Sequence, residues 1–495
     1  MRTLGRIGCC ALLAACGSKA DKPAPAPTQE TTPTQPAPAE PVQVVTPDFP
    51  EGTLSLELQR TVPVRLEPGD AAKRIGTVAI DTRVGWTRTA TGKGCAKPWV
   101  EIRPRGWVCG ENLRPSTKLP FGREVPLLDR GAVVPGIYGR VTGQNGNVTY
   151  TLQKPEPPKK AKPVKGAKKK TGPVTSPSQV AETAKPTEAK IVEDKPILGT
   201  LTVRQYEELT VGGKTYWRIS QKGNEYVLKS TVNMMKPSDF MGTRLGDDTG
   251  WKLPVAFVWP RNSWQQAWTY RKPNAIANRQ VAARTAIPIL EVAAGKDGKP
   301  SAYRIDNEEW INALDVRVFQ PTEPPPLMQP NERWIDIDLD LQILVAFEGS
   351  IPVYSTMISS GAKDTPTTTG LYRMWLKESE ADMKNLKAED PYSVATVPWT
   401  QFFFPDEDLA LHTAYWHDGF GKPRSHGCVN LAPRDARWLY YWSEPQVPPG
   451  WTMATGVVEA PGSVVRVRSV ADPTPEWKGY AKKVAEARQA NRPAN

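Results

Sequence analysis

Where the prolines fall constrains this chain more than any other feature of it. Of its 495 residues 50 are proline, and many of them crowd into two tracts, residues 17–47 and residues 154–197. Proline fixes φ and has no backbone N–H, so neither tract can sustain a helix or an inner strand. Both lack an apolar pattern and cannot bury enough surface to offset the entropy of ordering. They are expected to be a disordered tether and a disordered basic linker. The rest of the chain must then fold as separate modules. Seventeen tryptophans in a chain of mean hydropathy −0.47 favour small β-domains with aromatic cores over one large apolar core.

The formal charge is +12, and much of it is local: Lys154 to Lys170 holds eight lysines against one glutamate. That run reads as a solvated linker, with contact to anionic lipid or wall polymer as the alternative. No apolar run reaches the length of about 18 residues that a transmembrane helix needs. The first sixteen residues read as an export signal, because Arg2 and Arg6 lead into a short apolar run, Ile7 to Ala15. That run ends Leu13-Ala14-Ala15-Cys16, which resembles a bacterial lipobox. The resemblance implies cleavage before Cys16, lipidation of its thiol, and an exported chain anchored to a membrane, facing periplasm or cell wall. Ordinary secretion with cleavage near Ala15 is the alternative. Export makes nucleic acid implausible as a partner.

Three cysteines then remain besides Cys16: Cys95, Cys109 and Cys428. Outside the cytoplasm a pair tends to oxidise, and Cys95 and Cys109 are close enough in sequence to bridge two strands. Cys428 is the odd thiol, and an unpaired thiol in an exported protein needs a reason.

A repeat lies between the tracts and beyond them. Each copy opens with proline and an apolar strand: Pro63-Val64-Arg65-Leu66, Pro126-Leu127-Leu128-Asp129 and Pro288-Ile289-Leu290-Glu291. Each closes with an aromatic, a β-branched residue, and an apolar residue six places after the aromatic. The closings are Trp107-Val108 with Leu113, Tyr226-Val227 with Val232, and Trp310-Ile311 with Val316. Short strands at this spacing favour a small barrel. The pattern resembles bacterial Src-homology-three-like domains. These are placed at 52–118, at 122–234 interrupted by the 154–197 linker, and at 250–320. The resemblance implies wall binding or spacing.

From Glu332 the texture changes. Trp334-Ile335-Asp336-Ile337-Asp338-Leu339 alternates with period two, and Leu341 to Phe347 and Ile351 to Ile358 follow as a hairpin around Glu348-Gly349-Ser350. Pro366-Thr367-Thr368-Thr369-Gly370 is a turn before a strand, Leu371 to Trp375. One helix is expected from Pro433 to Trp442, and Val464 to Val467 is the last strand. The fold class is therefore mostly β. A β-sandwich-like domain with one or two helices, at 330–468, follows the small β-barrel modules, and the 473–495 tail is expected to be exposed.

All three histidines, His412, His417 and His426, lie within fifteen residues, and Cys428 follows two residues after the last. That grouping points to nucleophilic chemistry. A free thiol is only a few per cent thiolate near neutral pH, and a histidine within reach corrects this by taking and returning the proton. Gly427, just before the thiol, lets a substrate approach the backbone closely.

His412, twelve intervening residues and then Ser425-His426-Gly427-Cys428-Val429-Asn430 resemble the signature of YkuD-type L,D-transpeptidases. The Thr367-Thr368-Thr369-Gly370 turn and the stretch from Leu431-Ala432-Pro433 to Leu439 resemble that family's neighbouring elements. Asn430 stands where many members have Arg. The resemblance implies Cys428 as nucleophile and His412 as general base, oriented by the Thr413 carbonyl. It implies an oxyanion hole from the backbone N–H groups of His426, Gly427 and Cys428, with Ser425 and Asn430 supporting the loop. The partners implied are peptidoglycan stem peptides, as donor and acceptor, and a membrane through the lipid anchor. No cofactor and no metal is implied. The acceptor decides between 3→3 cross-linking, carboxypeptidase action and protein anchoring. Rival readings are zinc held by His412, His426 and Cys428, a cysteine endopeptidase, in which the thiol precedes its histidine, and a non-enzymatic wall-binding lipoprotein. His417 is placed at a loop or rim, and the aromatic run Trp399 to Phe404 is a candidate lid.

Overall fold

The computed structural model describes residues 44–45, 49–153, 190–261, 265–386 and 391–490. The export signal, Cys16, nearly all of the tether and most of the basic linker lie outside the described residues. At the end of the expected tether, Val44–Val45 pairs antiparallel with Thr89 and Ala90. The linker expected to reach residue 197 is already a strand from Lys190 to Pro196, paired antiparallel with Val148–Gln153. Lys190, Glu193 and Lys195 look solvated in the sequence, and they are tolerated because this is an edge strand with one face in water.

The six-residue spacing of the three closings has one structural cause. In each a strand runs into a single 3-10 turn and out again. The turns are Gly110–Asn112, Lys229–Thr231 and Ala313–Asp315. The aromatic and β-branched pair ends the first strand, and Leu113, Val232 or Val316 follows the turn. The third module closes on its own core, in which Ala256, Val258, Ile287, Ile305, Ile311 and Val316 pack together. The disulfide Cys95–Cys109 packs beside Trp99 and Trp107 in the first.

Two expectations need correction. The modules are not closed barrels: their strands fall into separate open sheets. Pro126–Asp129 is not an opening strand either. Leu128 packs instead against the C-terminal core beside Trp438, and the second module's first strand is Tyr138–Thr142. The first two modules each give an edge to the C-terminal domain. Arg74–Val78 of the first module pairs antiparallel with Trp451–Thr455, matching Gly76 to Ala454 and Val78 to Trp451. A Cβ on Gly76 would meet the Trp451 ring at 2.0 Å, so this seam needs glycine. In the second module Thr200–Arg204 pairs with Tyr138–Thr142 on one side. On the other it runs parallel to Tyr392–Val394. The result is one 14-stranded sheet shared by three parts of the chain.

The C-terminal domain carries a six-stranded sheet, one strand of which is the upstream Thr243–Arg244, with Arg333–Asp338 between the antiparallel Ile343–Glu348 and the parallel Val464–Arg468. The period-two pattern of 334–339 does not expose its polar face, since Asp336 is buried and held by Arg466 and Arg468 from the neighbouring strand. The helix Pro433–Trp442 starts on proline, which suits the first helical position. Its Asp435 accepts from Gly242 N–H, Tyr354 and Thr356, while burial pushes its carboxyl up to about 6. Those hydrogen bonds tie the helix to the sheet below it.

The C-terminal tail is not simply exposed. Gly479–Ala490 is a second helix that buries Ala481, Val484 and Ala485 and lies along the strand Gly370–Arg373. Its Arg488 reaches Glu332 at 2.7 Å, which also takes Arg373 at 2.5 Å. Burial alone would raise the Glu332 carboxyl, but the two guanidiniums hold it at about 2 against an ordinary 4.5. A carboxyl depressed on folding adds stability above pH 4.5 and loses it as pH falls toward 2. Glu332→Gln is therefore expected to lower stability by roughly 2 kcal/mol at neutral pH. It should also flatten the fall in melting temperature between pH 5 and 2; an unchanged acid limb would contradict this role for Glu332.

Candidate active site

The 3-10 turn Pro405–Glu407 ends at Asp408, in a left-handed conformation, and releases the strand Leu409–Thr413. All five of its residues are buried. On one side it pairs with the long strand Tyr392–Phe404, and on the other it runs parallel to Val429–Leu431, with His412 opposite Asn430. Cys428 is the residue just before that last strand. The two expected actors, His412 and Cys428, thus sit on adjacent strands and line one cavity of about 250 Å³.

The loop that presents Cys428 is held by hydroxyls. Thr367 Oγ1 donates to the Gly427 carbonyl at 2.6 Å and accepts from Gly361 N–H at 2.9 Å. Thr365 Oγ1 donates to the Ser425 carbonyl at 3.0 Å. The Ser425 hydroxyl donates to the Cys428 carbonyl and accepts from Gly427 N–H. Gly427 has φ of +122°, a region closed to other residues. The contact with Ser425, at 3.2 Å, engages the Gly427 N–H. Among the described residues no protein acceptor takes the N–H of His426 or of Cys428. Two donors therefore remain beside the thiol.

His412 holds Nδ1 2.9 Å from the Thr413 carbonyl. That contact places the ring proton on Nδ1 and leaves Nε2 as a lone-pair base. Burial pushes the imidazole down to about 4, against the opposing pull of Thr413. Trp416 stacks over the ring at 5.7 Å. Cys428 keeps partial exposure toward the cavity, but its sulfur is packed against strand backbone. The thiol donates to the Asp408 carbonyl at 3.5 Å. Burial pushes it up to about 11, although a backbone hydrogen bond from Ala410 works the other way. The resting site is a neutral thiol and a neutral imidazole, not an ion pair.

His417 contacts Asn430 and not the thiol. Its Nδ1 accepts from Gly419 N–H at 3.1 Å, so its proton lies on Nε2, 2.9 Å from the Asn430 amide. The amide satisfies that proton when its oxygen faces the ring, which also gives the otherwise unpaired Asn430 Oδ1 a partner. His426 stacks on Tyr392 at 4.8 Å and is exposed at the cavity rim. Among the described residues His412, His426 and Cys428 do not gather their ligand atoms into one coordination sphere.

Sequence reasoning missed half of the cavity wall. Arg140, Thr200 and Thr202 come from the second upstream module, and Met383, Tyr392 and Val394 from the long hairpin Leu376–Asn385 and Tyr392–Phe404. No local motif marks them, because they meet only through sheet pairing. The aromatic run read as a lid is core instead: Trp399, Phe403 and Phe404 are buried. The cavity is flanked by residues farther along that same hairpin.

Residues 332–467 match the YkuD family, the L,D-transpeptidase catalytic domain, and the upstream modules lie outside the match. A protein of Bacillus subtilis (strain 168) assigned to the L,D-transpeptidases, YciB, is 26% identical over 179 residues, covering 31% of this chain and 88% of its own. Among solved structures, the Ldtfm–avibactam carbamoyl enzyme is 25% identical over 30% of this chain and 54% of that one, with a TM-score of 0.23. This chain thus matches about half the length of that structure. The NMR structure of the catalytic domain from the E. faecium L,D-transpeptidase is 23% identical over 28% of this chain and 98% of its own, with a TM-score of 0.22.

A neutral resting thiol has a measurable signature. The rate of Cys428 alkylation by iodoacetamide should keep climbing with pH toward about 11. A plateau reached near neutrality would show a thiolate–imidazolium pair instead.

Proposed function

We propose that this protein is a peptidoglycan L,D-transpeptidase that forms 3→3 cross-links through an acyl-enzyme on Cys428. The observation that carries the reading is the meeting in one cavity of three things from the matched domain. They are a free thiol, a buried histidine with Nε2 available, and two backbone N–H groups with no protein acceptor.

The donor is a tetrapeptide stem that ends in D-Ala. As the thiol sulfur bonds to the carbonyl carbon of the diamino-acid residue, its proton passes to His412 Nε2. Because the thiol is pushed up and the imidazole down, proton transfer accompanies attack and does not precede it. The carbonyl oxygen becomes an oxyanion facing the His426 and Cys428 N–H groups, which are fixed before reaction and need no reorganisation. Collapse breaks the amide C–N bond, and His412 returns the proton to the departing D-Ala amine. A thioester remains. The side-chain amine of a second stem then attacks it, gives a proton to His412, and the thiolate leaves and recovers that proton. The Thr413 carbonyl keeps the ring in the tautomer that both steps use. Ser425, Thr367 and the Asn430–His417 pair hold the loop. Lipidation of Cys16 would keep this chemistry at a membrane surface facing the wall.

Water as acceptor would yield a carboxypeptidase, and a protein amine would yield wall anchoring, both on the same acyl-enzyme. Purified disaccharide-tetrapeptide, incubated with wild type or Cys428→Ala and read by mass spectrometry, separates these outcomes. Cross-linked dimers lacking one D-Ala, made by the wild type alone, are expected. Tripeptide monomers alone would replace cross-linking with hydrolysis, and equal products from both proteins would overturn the role of Cys428. The pH profile is a second check. The base is lost only on protonation, so the acid limb of kcat/KM should fall near pH 4 and not near the ordinary histidine value of 6.5.

A further inference from the structure

The second upstream module contributes a guanidinium to the catalytic cavity. Arg140 stands in the strand Tyr138–Thr142, opposite Thr202, which stands opposite Val394, which stands opposite Met383. These four residues form one cross-strand row, and all four line the cavity that holds Cys428. Adjacent strands are spaced at about 4.8 Å, so Arg140 lies about 10 Å across the sheet from the catalytic hairpin. The row exists only because Thr200–Arg204 is inserted between the module's own strand and the hairpin.

The charge environment of Arg140 is unusual within its module. Its neighbour Arg204 is paired with Glu380 at 2.5 Å, whereas among the described residues Arg140 has no carboxylate partner and its Nε has no acceptor. A second guanidinium, Arg424, lines the exposed side of the same cavity. Among the described residues no aspartate or glutamate lines it. A half-buried guanidinium facing a cleft without a counter-ion costs free energy unless an anion arrives there. Its planar fork suits a carboxylate in two-point contact. Thr200 and Thr202 offer hydroxyls on the same face.

We infer that Arg140 is a specificity residue that binds a carboxylate of the donor peptide, so that the upstream module selects an acidic peptide for Cys428. The identity of the ligand as a stem peptide rests on the acyl transfer proposed above; the anion preference of the cleft does not. The module is therefore part of the substrate site and not a spacer.

Two thiol reagents of similar size, one anionic and one neutral, test this on the full chain without any peptidoglycan. Iodoacetate carries a carboxylate and iodoacetamide does not. The rate of Cys428 alkylation by each is measured for wild type, Arg140→Gln and Arg140→Lys. Arg140→Gln should lower the iodoacetate rate on the order of tenfold and leave the iodoacetamide rate in place, which also reports an intact cleft. Arg140→Lys should keep most of the preference. With the tetrapeptide donor, Arg140→Gln should raise KM on the order of tenfold with kcat near wild type. Equal rates with the two reagents in wild type, or a ratio that Arg140→Gln does not move, would overturn the inference even if cross-linking proceeds. A preserved reagent effect without any cross-linking would leave the inference standing and remove the transpeptidase reading.

Discussion

The parallel pairing of Thr200–Thr202 with Tyr392–Val394 is the contact on which the arrangement of this molecule depends. An exposed strand edge is a liability, and one remedy is to cover it with another part of the same chain. Here the upstream modules use their edges to extend the catalytic domain's sheet, at Thr200–Thr202 and again where Arg74–Val78 meets Trp451–Thr455. Backbone hydrogen bonds fix register, and register fixes which side chains share a face. That is how Arg140, Thr202, Val394 and Met383 come to line one cavity with Cys428. Modules that read as separate beads are thereby locked to the domain that carries the chemistry.

The site follows a different economy of charge. Burial raises the thiol and lowers the imidazole, so the resting pair is neutral. A thiol kept protonated against the Asp408 carbonyl is a poor target for oxidants, which react with thiolates. That protection suits an unpaired cysteine in a chain whose other described cysteines form a disulfide. The loop geometry does the complementary work. A left-handed Gly427 and three hydroxyls hold the backbone so that the His426 and Cys428 N–H groups stay open.

Much of this was legible in the sequence where a short-range rule applies. The helix Pro433–Trp442 has its expected bounds because proline opens it and aromatic residues follow at helical spacing. The strand from residue 334 onward, the hairpin around Gly349 and the position of the histidines and thiol are likewise local matters. The recurrent six-residue spacing was readable because a 3-10 turn always consumes the same number of residues. What was not legible is non-local. The Pro126–Asp129 segment looks like a strand opening, yet its Leu128 is claimed by the C-terminal core. The tail looked solvated because its buried residues, Ala481, Val484 and Ala485, are small, and its attachment is an ion pair from Arg488 to Glu332, 156 residues earlier in the chain. Arg140 carries no motif at all and gains its place only through two strand pairings.

Acylation of Cys428 by a peptide stem can be observed on the protein itself. The full chain is mixed with a tetrapeptide donor, quenched in acid and digested, and the adduct is mapped by tandem mass spectrometry. A tripeptide acyl group is expected on the peptide containing Cys428, joined as a thioester and released by hydroxylamine. An adduct on another residue, or donor consumed at a normal rate with Cys428 replaced by alanine, would contradict this role of Cys428.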